Sequence, residues 1–352
     1  MVWASSQTEI SNSTVRLEDG FLRSNRLGAK LTPPMSLVTD EIGIYYDPRQ
    51  PSQLEHMIAT SDTLRPDQRY RAARLQQRLI TLGLSKYNVG QTAAKLGLAR
   101  PNITASTLVD QRGILVPRQV EDDASIRTAV GTINANRDLL RAVRKANPDA
   151  FVIFKPHPDV EAGLQLGHMQ TGDSDGLADG VVASVNPINL LSQIDGVWTT
   201  TSRLGFEALL RDKTVVTYGA PFYAGWGLNR DFGTPPNRRL ALPNILGLIH
   251  ATLIEYSRYF DPKTRLSCLV LSFLVLFFCK DGSPPIAIPD SLRAKPQQSL
   301  FVKTLRSFRQ FFYGANRCQR CNTSPPIART SINLNRVASA SRSCPRDPRD
   351  GR

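Results

Sequence analysis

The apolar positions of this chain fall into short blocks whose period changes along its length. From residue 66 to residue 83 they recur at helical spacing, and Gly83 supplies the residue that most readily closes a helix in the left-handed conformation. Gly113-Ile-Leu-Val-Pro117 is a continuous apolar block stopped by proline, the pattern of a buried strand. A helix is expected from Asn134, as its N-cap, to about Asn147, with Leu139, Leu140 and Val143 on one face. There follow a strand over Phe151–Phe154, a strand over Gly196–Thr200, a helix over Arg203–Arg211 and a strand over Thr214–Tyr218. Strand, helix and strand at this spacing make a βαβ unit, so the expected fold class is α/β with a parallel, Rossmann-like sheet.

The two ends of the chain lack this alternation. Residues 1–60 read as short extended pieces broken by turn chemistry: Arg16–Gly20, then Pro33-Pro34, then a strand-like Gly43-Ile-Tyr-Tyr46. Leu266–Cys279 is an apolar run of 14 residues, short of the roughly 20 that a membrane span requires. Beyond it the sequence is rich in Ser, Pro and Arg without periodicity and is expected to be disordered.

Charge changes the picture only once it is located. A net charge of +14 suggests a nucleic-acid or anionic-membrane partner. Residues 262–352 hold 16 Lys and Arg against 4 Asp, whereas residues 1–261 hold 28 against 26 acids. The body is therefore close to neutral, and without aromatic residues interleaved among basic ones it offers no nucleic-acid motif. All five cysteines lie beyond residue 261. A cysteine-free body fits a cytoplasmic compartment, and Cys318-Gln-Arg-Cys321 lacks the second pair a zinc site needs. The N-terminus has neither the basic nor the apolar region of a secretory leader. From about residue 264 onward the tail is expected not to fold with the body. Its composition is that of a shifted reading frame, with an anionic-lipid anchor over Phe301–Tyr313 as the rival explanation.

Three strand exits carry groups suited to chemistry, and ligands of open α/β sheets bind at such exits. Lys155-Pro-His-Pro-Asp159 holds His157 between two prolines, where it can meet an anionic phosphate or protonate a leaving group. Thr199-Thr-Thr-Ser202 precedes a helix whose free N–H groups and hydroxyls suit an anion; Gly205 would allow close approach and Glu207 would accept ribose hydroxyls. Gln119-Val-Glu-Asp-Asp-Ala-Ser125 places adjacent acids after Pro117. Asp122 and Asp123 diverge as neighbours, so a single base is expected there and no metal. The bland alternatives are a solvated acidic turn and an ordinary serine cap. Pro221-Phe-Tyr-Ala-Gly-Trp-Gly227 fits either a sugar-stacking loop or core packing of Phe222 and Trp226.

In order along the chain, Arg16–Ser24, Gly43–Asp47, Gln119–Ile126, Lys155–Val160, Gly205–Arg211 and Pro221–Leu228 resemble the capsular polysaccharide biosynthesis family of KpsC/LipA type, over residues 14 to 262. Arg118 stands where that pattern carries glycine. The resemblance implies a retaining β-Kdo transferase of Gram-negative bacteria that uses CMP-Kdo and builds a linker on lyso-phosphatidylglycerol or a Kdo-primed lipid. It would work in the cytoplasm, peripheral to the inner membrane, alongside capsule-assembly proteins, and without a cofactor. The implied fold is GT-B: an acceptor-side Rossmann-like domain over 1–118, incomplete at its start; a nucleotide-sugar domain over 119–262; and a basic tail over 263–352. Carried over by motif, Asp123 ahead of Asp122 is catalytic, Lys155, His157 and Pro158 meet the CMP phosphate, and Ser202, Gly205 and Glu207 complete the nucleotide site. A module that has lost catalysis and binds only nucleotide or a capsule-assembly partner is the alternative.

Overall fold

The computed structural model describes residues 1–4, 14–23, 34–86, 111–120, 123–128, 131, 133, 135–156, 176–182, 185–261, 264 and 266–278. Its strands, in chain order, are β1 (Val2–Trp3), β2 (Arg16–Asp19), β3 (Ser36–Asp40), β4 (Gly113–Pro117), β5 (Phe151–Lys155), β6 (Gly180–Val181), β7 (Gly196–Thr199), β8 (Thr214–Thr217), β9 (Arg230–Asp231), β10 (Ser257–Phe260) and β11 (Ser267–Cys268). They form two sheets: a five-stranded one in the order β1-β2-β3-β10-β11 and a six-stranded one in the order β6-β5-β4-β7-β8-β9. Every pairing of the second sheet is parallel. The expected α/β, GT-B-like class is the class observed.

The second sheet fills both of its faces with aliphatic side chains, as parallel strands must. Ile114, Val116, Val152 and Phe154 pack beneath Leu139, Leu140 and Val143 of the helix Asn136–Ala146 on one face. Leu115, Ile153, Val197 and Val215 join a larger core on the other face, with the helices Pro66–Thr81 and Leu204–Leu209. Helix Pro66–Thr81 ends as its sequence implies, with Gly83 at φ +58°.

Several expectations are corrected. The long helix starts at Asn136, after Ala135, and Asn134 lies outside the described residues. Its start is fixed by a reciprocal bond: the Gln119 amide donates to Asn136 Oδ1 (2.8 Å), and Asn136 Nδ2 donates to the Gln119 carbonyl (2.9 Å). Arg118 needs no glycine conformation; it continues the strand, its N–H donating to the Lys155 carbonyl at 2.8 Å. Gly43–Tyr46 is a turn and not a strand. Fully buried Asp40 captures it, its Oδ1 accepting from Ile42 N and Gly43 N and its Oδ2 from Gln53 N and the Tyr256 hydroxyl. With the Ile42 and Gly43 amides held by a side-chain carboxylate, the segment turns instead of joining a ladder.

The first sheet is mixed: β1 runs parallel to β2, and the remaining pairs are antiparallel. A boundary at residue 118 therefore does not separate the sheets, because β4 belongs to the second and β10 returns to the first. The tail boundary moves as well. β11 pairs with β10, and the helix Val270–Phe278 lays Val270, Phe273 and Leu274 into the main core, with Phe273 5.0 Å from Tyr259. An apolar run too short for a membrane has the length of a buried helix, which an average over the whole tail conceals. Phe273→Ala should lower unfolding free energy by about 3–5 kcal/mol, read by urea denaturation. A tail packed on nothing would give no change.

Candidate functional site

Strand order fixes where a ligand belongs. From β4 the chain winds outward through β5 and β6, then returns to β4's other side and winds away through β7, β8 and β9. The topological switch point is therefore the crevice at the carboxyl ends of β4 and β7. The segments leaving these two strands are Arg118–Ser125 and Thr200–Ser202, two of the three exits singled out by sequence.

Buried Gln119 joins them. Its Oε1 accepts from the Thr199 hydroxyl, Thr200 N and Thr201 N, each at 3.0 Å, and its Nε2 donates to Thr201 Oγ1 at 2.8 Å. Ser125 Oγ lies 3.3 Å from the same threonine hydroxyl. Between these contacts Asp123 caps the short helix Ala124–Arg127, its carboxylate accepting from Ser125 N at 2.8 Å while the residue stays exposed.

The expected anion site at the start of helix Leu204–Leu209 is not open. Thr200 N and Thr201 N go to Gln119, Ser202 N to Thr199 Oγ1, Leu204 N to Ser202 Oγ and Gly205 N to the Ser202 carbonyl. Hydroxyls, not backbone amides, are what this loop presents. Gly205 also serves a different purpose: a Cβ there would stand 2.2 Å from the Tyr223 hydroxyl, which donates to the Ser202 carbonyl at 2.6 Å. Glu207 faces inward. Its Oε1 accepts from Lys86 N at 3.1 Å, its Oε2 is buried without a hydrogen-bond partner, and burial raises its pKa against the opposing pull of Arg211 and Arg203. Through the Lys86 amide it ties the second half to the first. Lys155 is buried at the end of β5, Nζ 3.4 Å from the Pro156 carbonyl. Asp122, His157 and Pro158 lie outside the described residues. Phe222, Tyr223 and Trp226 are core residues, so the choice left open for their loop falls to packing.

Across the crevice stands a residue that sequence reasoning passed over. Glu18, on β2, is half-buried, and desolvation raises its carboxyl to about 6 even though Asp19 N donates to it. The charges of Asp19 and Asp123 push it up further, and Lys86 pulls it down. It lies in the Arg16–Ser24 motif, whose acids were quoted without being assigned a role. Gln119 and Ser125, which bracket the acidic segment, were equally visible and equally unassigned. Among the described residues no cluster of His, Cys, Asp or Glu has the arrangement of a metal site, and no helix is long and apolar enough to cross a membrane.

A GT-B-like α/β chain with an acidic turn at its switch point is the class that fold and site define. The sequence matches the capsule polysaccharide biosynthesis protein family over residues 3–259, and the chain belongs to that family. It is 45% identical over 252 residues to the capsule polysaccharide modification protein LipA of Neisseria meningitidis serogroup A, covering 71% of this chain and 34% of that protein. It is 42% identical to the lipopolysaccharide-processing protein LpsZ of Rhizobium meliloti, covering 69% of this chain and 54% of that one. The chain thus spans about a third to a half of these relatives' length. Among solved structures it resembles the KpsC β-Kdo 2,4 transferase of Thermosulfurimonas dismutans (33% identity, TM-score 0.63, 73% of this chain and 77% of that one). It also resembles the β-Kdo 2,7 transferase of the same organism's KpsC (34% identity, TM-score 0.57, 72% and 73%).

Gln119→Leu strands two buried donors and a half-buried one at once. It should cost on the order of 3 kcal/mol, since each unmet buried group costs about 1–3, and thermal unfolding measures it. Gly205→Ala should also destabilise, by about 1–3 kcal/mol, because the tyrosine must move.

Proposed function

We propose that this chain is a glycosyltransferase module that transfers Kdo from CMP-Kdo to a lipid-linked acceptor, lyso-phosphatidylglycerol or a Kdo-primed lipid, at the cytoplasmic face of the inner membrane. The observation that carries the reading is a pair of carboxylates within electrostatic reach of each other, Asp123 exposed on a helix cap beside the switch point and Glu18 half-buried on β2 with its pKa raised to about 6. Two carboxyls in such different surroundings, one solvated and one half-buried, are suited to different roles.

CMP leaves as a phosphate ester anion and needs no proton, whereas the acceptor hydroxyl must give one up. Glu18 takes that proton, because a base works best when its pKa lies near the working pH. Asp123 faces the anomeric carbon. In a transfer with retention its carboxylate bonds to that carbon as CMP departs and is displaced by the acceptor oxygen. Ser202 and Thr201 hydroxyls, with the Lys155–Pro158 segment, are assigned to the donor phosphate, and no metal is required. A second reading, a module that binds nucleotide without turnover, draws on the closed amides of the Thr200–Gly205 loop and inward-facing Glu207, which remove two expected donor contacts. Hydrolysis of CMP-Kdo by the chain separates the two.

Asp123→Asn should abolish transfer while leaving CMP affinity within a few-fold, since its role lies in the chemical step. Full turnover in that variant would remove the assignment. The transfer rate should fall as pH drops through about 6, where Glu18 gains a proton. Glu18→Gln should lose that limb together with about 10²–10⁴-fold in rate. CMP binding followed by calorimetry should persist in EDTA; its loss would show that a cation is needed.

A further inference from the structure

Residues flanking the two carboxylates in sequence line a cavity of about 370 Å³ that the mechanism above does not use. Its walls come from both halves: Arg16 of β2, the turn that carries Tyr46, Asp47 and Arg49, and Arg127 and Thr128 at the end of the helix that Asp123 caps. Arg16 and Glu18 are two residues apart on one strand and so share a face. Arg127 is one helical turn beyond Asp123. The cavity is therefore walled by near neighbours of both reacting groups, Arg16 on one side and Ala124 and Arg127 on the other, and its size is that of a small-ligand site.

Its charge is unbalanced. Three guanidinium groups face one carboxylate, and that carboxylate is already taken: Asp47 accepts from Arg49 Nε at 2.8 Å and from Arg49 Nη2 at 2.7 Å. Against the effect of burial, the hydrogen bonds from the Arg49 side chain and backbone, helped by the charges of Arg49 and Arg16, hold Asp47 below the usual carboxylate range, so it stays ionised and paired. Arg16 spends one N–H on the Ile42 carbonyl at 3.2 Å. Arg127 is exposed, and its guanidinium makes no hydrogen bond or ion pair among the described residues. Tyr46, also in the wall, has a buried hydroxyl without a hydrogen-bond partner. A guanidinium offers five N–H donors in a planar fork that matches two oxygens of one anion. A cavity that gathers such groups beside a reaction centre is built for an oxyanion.

We infer that this cavity is the subsite for an anionic group on the acceptor, a sugar-acid carboxylate or a lipid phosphodiester, with Arg127 as its specificity-determining residue. The inference rests on the transferase reading and deepens it. The anion, gripped at Arg127 and Arg16, turns the acceptor hydroxyl toward Glu18 and the anomeric carbon at Asp123. A neutral acceptor of the same shape would lack that anchor.

The test is acceptor kinetics with the full chain, comparing wild type, Arg127→Ala and Arg127→Lys. The acceptors are lyso-phosphatidylglycerol, a Kdo glycoside and the methyl ester of that glycoside. Arg127→Ala should raise KM for an anionic acceptor about ten-fold or more, the effect of losing a charged hydrogen bond, with kcat within about two-fold. Arg127→Lys should recover part of the loss, and the neutral ester should not distinguish wild type from Arg127→Ala. A penalty confined to the lipid assigns the cavity to the phosphodiester; one confined to the glycoside assigns it to the carboxylate. Unchanged KM for both anionic acceptors, or an equal penalty on the ester, would overturn the inference. Failure of the wild-type chain to hydrolyse CMP-Kdo even without acceptor would instead remove the transferase reading beneath it.

Discussion

One amide side chain holds the site together. Gln119 leaves β4 at the switch point and places its Oε1 where three donors from the end of β7 converge, while its own backbone is clasped by Asn136. Two parallel strands that diverge at their carboxyl ends would otherwise leave both exit loops free to move and their amides open to water. Gln119 closes the loop amides within the protein and turns the hydroxyl of Thr201 toward Ser125. The acidic turn at Asp123 is thereby fixed to the opposite strand exit. An amide suits this position because it can accept and donate at once; a carboxylate there could only accept.

The same crevice also depends on how the halves are docked. Phe21, at the turn after β2, packs against Tyr45, Phe206 and Phe222 with ring centroids 4.8, 6.2 and 5.1 Å away. Arg203 lies over its ring at 5.1 Å and donates to the Phe21 carbonyl at 3.3 Å. Glu207 and Arg211 reach back to Lys86 N and the Leu84 carbonyl, and Arg238 and Arg239 share Glu55 while holding the carbonyls of Pro48, Gln50, Pro221 and Ala224. These contacts, several of them buried and charge-assisted, hold the half that carries Glu18 against the half that carries Asp123. Glu207, expected to touch nucleotide from the helix Leu204–Leu209, takes part in this docking.

Periodicity made the second sheet legible because its strands are buried on both faces and its helix has a continuous apolar stripe. It failed at Gly43–Tyr46, where Asp40 captures the amides, since side-chain bonding to the backbone leaves no period. It failed again at residues 267–278, where a true helix was grouped with a tail of unusual composition. At the site, motif order located the right strand exits, but a motif shows which residues travel together without showing which way each one faces. Glu207 and Gly205 share their motif because they pack the interior. Glu18 and Gln119 went unassigned because their importance lies in contacts across about a hundred residues of sequence, which only the folded chain makes visible.

The central claim is that the crevice held by Gln119 is where the donor meets Asp123. A crystal structure of the chain with CMP-Kdo tests it most directly. The account predicts CMP at the carboxyl ends of β4 and β7, its phosphate against the Ser202 and Thr201 hydroxyls, the sugar's anomeric carbon facing Asp123, and the Gln119 bonds unbroken. Donor bound at any other edge of the sheet, or bound here with its sugar turned away from Asp123, would contradict it.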